Sequence, residues 1–184
     1  MKIPVAGFDP SMTHWGVAEG TLDLSTGFLD GLRLDTIVTQ KSKEKQVRVN
    51  SSDLQRAEDL ARAIIPIARR NKAIFIECPV GSQSASGMKA YGLVVGILGS
   101  VRALGIPVIE VTATESKLVF TGNKNATKKQ MIESAVTLYP EANFPMYRGQ
   151  IASNAEHVAD AIAAIHAGVQ TPVFQNLMRL FAEV

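Results

Sequence analysis

The chain has 184 residues, 46% of them hydrophobic, and a formal net charge of +2. That length supports a sizeable buried core, and the composition excludes a wholly disordered chain. The single cysteine, Cys78, excludes an internal disulfide.

Lys2 to Phe8 is predicted to be a buried strand, His14 to Leu24 a second and Phe28 to Val38 a third, with a turn at Ser25-Thr26-Gly27. Residues 40–50 follow as a loop. Ser51 or Ser52 should cap a helix running to about Arg70, with Leu54, Ala57, Leu60, Ala61, Ile64 and Ile65 on one face. Pro66 should kink it or stop it early. Ala73 to Ile76 is a short strand ending at Glu77, followed by a Gly/Ser-rich loop over 79–87. Met88 to Leu104 is expected as a helix, apolar almost all round. Pro107 to Val111 is a strand, and short helices follow at 114–120 and 127–138, the second capped near Thr127. After a loop at 139–154, Asn154 should cap a helix over 155–167 that Gly168 ends. The tail from Thr171 adds a further helix. This order implies a mixed sheet, with helices covering both faces.

The apolar run at the start ends on Asp9, a carboxylate and not a cleavage site. The stretch 91–104 is interrupted by Gly92, Gly96, Gly99, Ser100 and Arg102 and is too short to span a bilayer. A soluble, cytoplasmic protein that does not enter membranes is therefore expected.

Two segments concentrate positive charge. Lys41, Lys43, Lys45 and Arg48 stand against one acid between 40 and 50. Lys117, Lys124, Lys128 and Lys129 stand against none between 117 and 129. Such clusters suit phosphates.

Asp9 and Glu77 each terminate an apolar strand. If those strands are parallel neighbours, both carboxylates emerge at one sheet edge and repel each other unless a cation or proton intervenes. Glu156, His157 and Asp160 share related faces of one helical turn, and the residues after them are small and apolar. Asp and Glu oxygens suit Mg²⁺ or Mn²⁺. A pair of such ions can hold an attacking water and a leaving oxygen on either side of a phosphorus. His14 and His166 are expected in surface or packing roles, and Cys78 as an inert thiol. Glu156 is expected to favour the helix N-terminus by its charge, with a ligand role as its alternative.

Gly7-Phe8-Asp9-Pro10-Ser11 with Trp15-Gly16-Val17, Ile76-Glu77 with the following loop and helix, Ser116 to Gly122 with Ala126 to Gln130, and His157 to Ala161 resemble, in order, four segments of RuvC-type Holliday junction resolvases. The resemblance spans about 3–168 and treats 1–184 as one nuclease domain with a tail at 169–184. It implies an RNase H-like fold: a five-stranded mixed sheet, with strands 1–3 antiparallel and strands 1, 4 and 5 parallel, flanked by helices. It implies a homodimer that nicks four-way DNA junctions, using two Mg²⁺ ions held by Asp9, Glu77 and Asp160. His157 would be a ligand or a helper at the scissile phosphate. Lys117, Lys128 and Lys129 would contact DNA, and Lys41, Lys43, Lys45 and Arg48 an arm of the junction. Many bacterial members place an aromatic residue just after the glutamate; here Cys78, Pro79 and Val80 stand there. That loop and the 40–50 insert look more like phage-encoded relatives, so the cytoplasm of a bacterium or of a phage-infected host is expected. The apolar helix at 88–104 is the expected dimer face. Alternatives are a broader fork or flap nuclease, an RNA-processing nuclease of the same superfamily, and a non-cleaving junction binder.

Overall fold

The computed structural model describes residues 1–44 and 46–182. Lys45, one of the expected DNA contacts, lies outside them.

β1 (Lys2–Asp9), β2 (His14–Asp23) and β3 (Leu29–Val38) form an antiparallel meander. β4 (Ala73–Glu77) joins the other side of β1 in parallel, and β5 (Val108–Val111) joins β4 in parallel. The sheet order is β3-β2-β1-β4-β5, the expected mixed sheet.

Strand alternation divides the core in two. Ala6, Phe8, Trp15, Val17, Ile74 and Ile76 face α1 (Val49–Arg70) and α2 (Ala85–Ala103). Val5, Ala18, Leu22 and Phe75 face α5 (Glu156–Val169). α3 (Ala113–Thr121) and α4 (Lys128–Leu138) pack against α5, and α6 (Pro172–Ala182) follows it. Asp9 and Glu77 share the parity of Val5 and Phe75, so alternation aims both at α5. Among the described residues, no helix is long and apolar enough to cross a membrane.

Several local expectations are corrected. α1 starts at Val49, before Ser51 and Ser52, with no side-chain cap. Pro66 does not end it; the helix runs to Arg70. Its inward face includes Asp53 and Arg56, while Leu54 is 70% exposed. The reason is long-range. The buried Arg56 guanidinium donates to the Met12 carbonyl at 2.8 Å and to Thr39 Oγ1 at 2.9 Å, tying down the turn that follows Asp9. Asp53 accepts from Lys89 of α2 and supports Arg56 at 3.5 Å.

α2 starts earlier than expected, at Ala85, because Ser84 caps it through the Gly87 N–H at 3.1 Å. The segment 139–154 is not loop throughout. It contains a small hairpin, β6 (Met146–Tyr147) with β7 (Gln150–Ile151), and then a single 3-10 turn at Ser153–Ala155. Asn154 lies inside that turn and does not cap α5. Gly168 does not end α5 either; it is buried within the helix against Phe75.

His166 has the packing role expected of it. Its Nε2 lies 2.7 Å from the Tyr139 hydroxyl, and its ring packs on Phe120 at 5.3 Å. Burial pushes its pKa down to about 4, below the ordinary 6.5. The folded state therefore favours the neutral ring. The stability this gives is fully present above about pH 6.5 and is lost as pH falls towards 4. The shift corresponds to roughly 3 kcal/mol. In thermal unfolding at a series of pH values, His166→Gln should lose less stability than the wild type between pH 7 and 4. Parallel curves would contradict this.

Candidate active site

Two glycines and one helix build the site. α5 lies directly on β1 and β2 because Gly7 and Gly16 carry no side chain. A β-carbon on Gly7 would sit 2.0 Å from the Ala161 carbonyl oxygen, and one on Gly16 would sit 2.0 Å from that of His157. The small residues Ala159, Ala161, Ala163 and Ala164, all buried, complete the close approach. This contact brings His157 and Asp160 down to the strand ends.

The parallel register pairs Phe8 with Ile76, so Asp9 and Glu77 leave the sheet at the same edge, one residue further on. His157 Nδ1 lies 2.9 Å from Asp9 Oδ2. That hydrogen bond raises the His157 pKa against the effect of burial. The His14 ring stacks on His157, parallel within 1° at 5.3 Å between centroids. Glu156 pairs with Lys128, Oε2 to Nζ, at 2.7 Å.

The carboxylates sense one another. Burial, and then the charge on Asp9, push the Glu77 carboxyl up to about 7. Burial, and then the charges on Asp9, Glu77 and Glu156, push Asp160 up to about 7. Lys117 on α3 opposes both shifts by its charge. The buried Ser116 hydroxyl favours the charged form of Glu77 but closes no hydrogen bond.

The donor chemistry fits a hard divalent cation: three oxygen acids from distant parts of the chain, two of them raised by burial and then by one another's charge, both of which a bound cation would offset. Among the described residues, no three acid, histidine or cysteine side chains stand close enough together to enclose one ion. A divalent cation would turn the mutual repulsion of these acids into attraction.

The other expected contacts divide. Lys128 and Lys129 line a cleft with His14 and His157. Lys41 lies beside Met12 and Thr13 of the turn after Asp9. Lys43 and Arg48 are exposed, with nothing tying them to the carboxylates. Cys78 is a half-buried free thiol whose pKa burial raises, as expected of an inert group. His14, expected in a surface or packing role, packs on His157, and the strand period accounts for it, because 14 and 16 share a face and Gly16 carries α5.

The sheet order and the helices on both faces define an RNase H-like fold. No protein-family profile matches the chain, and no curated protein does. Solved structures do match. One is Thermus thermophilus RuvC in complex with a Holliday junction substrate: TM-score 0.65, 18% identity, covering 96% of each chain. Another is a Thermus thermophilus RuvC structure: TM-score 0.61, 18% identity, covering 97% of each chain. The likeness establishes a RuvC-like fold over nearly the whole length.

Proposed function

We propose that this protein is a divalent-metal-dependent endodeoxyribonuclease that resolves four-way DNA junctions, leaving 5′-phosphate and 3′-hydroxyl ends. One observation carries the reading: Asp9 and Glu77 leave the sheet at one edge and α5 brings Asp160 to them, where burial and then the neighbouring charges push Glu77 and Asp160 up to about 7. Asp9, Glu77 and Asp160 would hold the metal, with Mg²⁺ or Mn²⁺ as the fitting ions. A pair of such ions supplies charge for the attacking and leaving oxygens of a phosphodiester.

The chain's own residues do the rest. His157, oriented through Nδ1 by Asp9 and backed by His14, leaves Nε2 free to take a proton from water or return it. Lys117 and Lys128 draw phosphates to the edge. The likeness to a RuvC bound to a junction favours branched DNA as the substrate. A panel of four-way junction, Y-fork, flap and duplex RNA tests this. Junction cleavage should exceed the rest. Equal cleavage of forks and flaps would replace the reading with a general branched-DNA nuclease, and preferred RNA cleavage with a processing nuclease.

A symmetric junction calls for paired sites, and α2 offers the dimer face. Met88, Val95 and Leu104 are exposed by 45%, 38% and 45%. Gly92, Gly96 and Gly99 open onto empty space between them. A bulky residue there harms no contact within the subunit. Gly96→Arg should therefore keep its fold, shift from dimer to monomer in sedimentation, and turn paired nicks into single ones. A monomeric wild type at micromolar concentration would contradict this.

A further inference from the structure

The hairpin β6–β7 has no evident purpose in the core. Met146 and Tyr147 are 58% and 64% exposed. Arg148 holds its guanidinium 5.2 Å over the Tyr147 ring. The turn between the strands has positive φ at both central residues, 50° at Arg148 and 77° at Gly149, which suits a tight two-residue hairpin. Ala152 N–H donates to the Pro145 carbonyl at 2.9 Å and closes the base. The result is a short, locked projection that displays an aromatic face and a cation to solvent.

The surface between this projection and the carboxylates is concave. A hollow of about 960 Å³ lies between α4 and residues 151–157, with Ile132, Val136 and Ile151 among its apolar lining and His14 and His157 at the site end. A second, of about 410 Å³, lies against Met146 and Tyr147. The two adjoin at Ile151, Ala152, Ser153 and Asn154, so together they line a trough-like surface between His157 and Tyr147. Lys128 and Lys129 stand along it, 79% and 85% exposed. Their pairings with Glu156 and Glu133 are open to solvent and can yield to a phosphate.

We propose that this trough binds an unpaired DNA strand running from the cleavage site, with Tyr147 stacking on one of its bases and Arg148 capping that stack. This rests on the nuclease reading for the direction of the strand, while its binding chemistry stands on the trough itself. Apolar floor, aromatic platform and flanking cations together match a single strand, whose bases have free faces and whose phosphates are regularly spaced. A duplex offers no free base face to Tyr147.

The test uses oligonucleotides containing 2-aminopurine, single-stranded and placed at the branch point of a junction, without divalent metal. Wild type should bind the single strand and change its fluorescence. Tyr147→Ala should weaken single-strand binding about 5- to 150-fold, and Tyr147→Phe should restore it to within about twofold. Since Tyr147 is exposed, both variants should melt like the wild type. Equal affinity of wild type and Tyr147→Ala would overturn the proposal. So would a wild type that cleaves junctions but does not bind the single strand, and that result would leave the nuclease reading standing. Tyr147-dependent single-strand binding with no cleavage of any branched DNA would uphold the trough and remove the nuclease reading.

Discussion

Asp9→Asn should reduce metal-dependent junction cleavage by about a thousandfold or more while leaving the protein folded. The size follows from the several kcal/mol that a correctly held metal contributes to the charge of a phosphoryl transition state. Asp9 lies within influence of every other acid in the site: its charge helps raise both Glu77 and Asp160. It also accepts the hydrogen bond that orients His157, at 2.9 Å. An asparagine oxygen can still take that bond, so the ring stays in place. With the charge gone, Glu77 and Asp160 repel less and ionise at lower pH. Near pH 8 the metal-free variant should therefore melt at or above the wild-type temperature, relief of repulsion offsetting the weakened histidine bond. Single-turnover cleavage and thermal unfolding check the two halves separately. An active Asp9→Asn protein would remove Asp9 from the chemistry. A variant that is inactive because it has unfolded would leave the wild type's carboxylate cluster in need of another test, which Asp160→Asn supplies.

Gly16→Ala should be, with Gly7→Ala, among the most damaging additions of a single methyl group to the protein. Its β-carbon would fall 2.0 Å from the His157 carbonyl oxygen and 2.5 Å from the carbonyl carbon. These are backbone atoms of a buried helix and cannot swing aside. α5 must lift off the sheet, which opens the core and carries His157 and Asp160 away from Asp9. Overpacking of this kind costs about 3 kcal/mol, or roughly 6–12 °C in Tm for a chain of this length. Activity should fall further than stability, because the contact that is lost is the one that assembles the site. Gly92→Ala is the internal control. It lies in α2 with nothing within 4 Å of the new carbon, so better helix propensity should leave stability unchanged or raise it by about 0.5–1 kcal/mol. If Gly16→Ala and Gly92→Ala behave alike, close packing of α5 is not what holds the site.

Much of the candidate site was legible because it is written in short-range patterns. Asp9 and Glu77 each end an apolar run, and a charged residue at that place belongs at a sheet edge and not within it. Their convergence depended on β1 and β4 being parallel neighbours, which the register confirms. His157 and Asp160 were legible from helical spacing and the small residues beside them.

The features that escaped depend on partners far along the chain. Arg56 looks like a solvent-facing helix residue until the Met12 carbonyl, 44 residues away, is seen to need its guanidinium. Leu54 fits the apolar period of the helix, yet the turn toward Met12 and Thr39 leaves it 70% exposed. Gly168 has the local signature of a helix terminus, yet it is a packing glycine under Phe75. Asn154 has a capping side chain but sits within a 3-10 turn that leads straight into α5. The stacking of His14 on His157 depends on β2 running beneath α5 with its even-numbered residues facing that helix.

If Asp9, Glu77 and Asp160 hold divalent metal for cutting branched DNA, cleavage of a synthetic four-way junction by wild type and by Asp160→Asn, with Mg²⁺ and with the metal chelated, should show it. Wild type should give paired nicks bearing 5′-phosphates with Mg²⁺ only, and Asp160→Asn none under either condition. Cleavage that survives chelation, or full activity of Asp160→Asn, would contradict it.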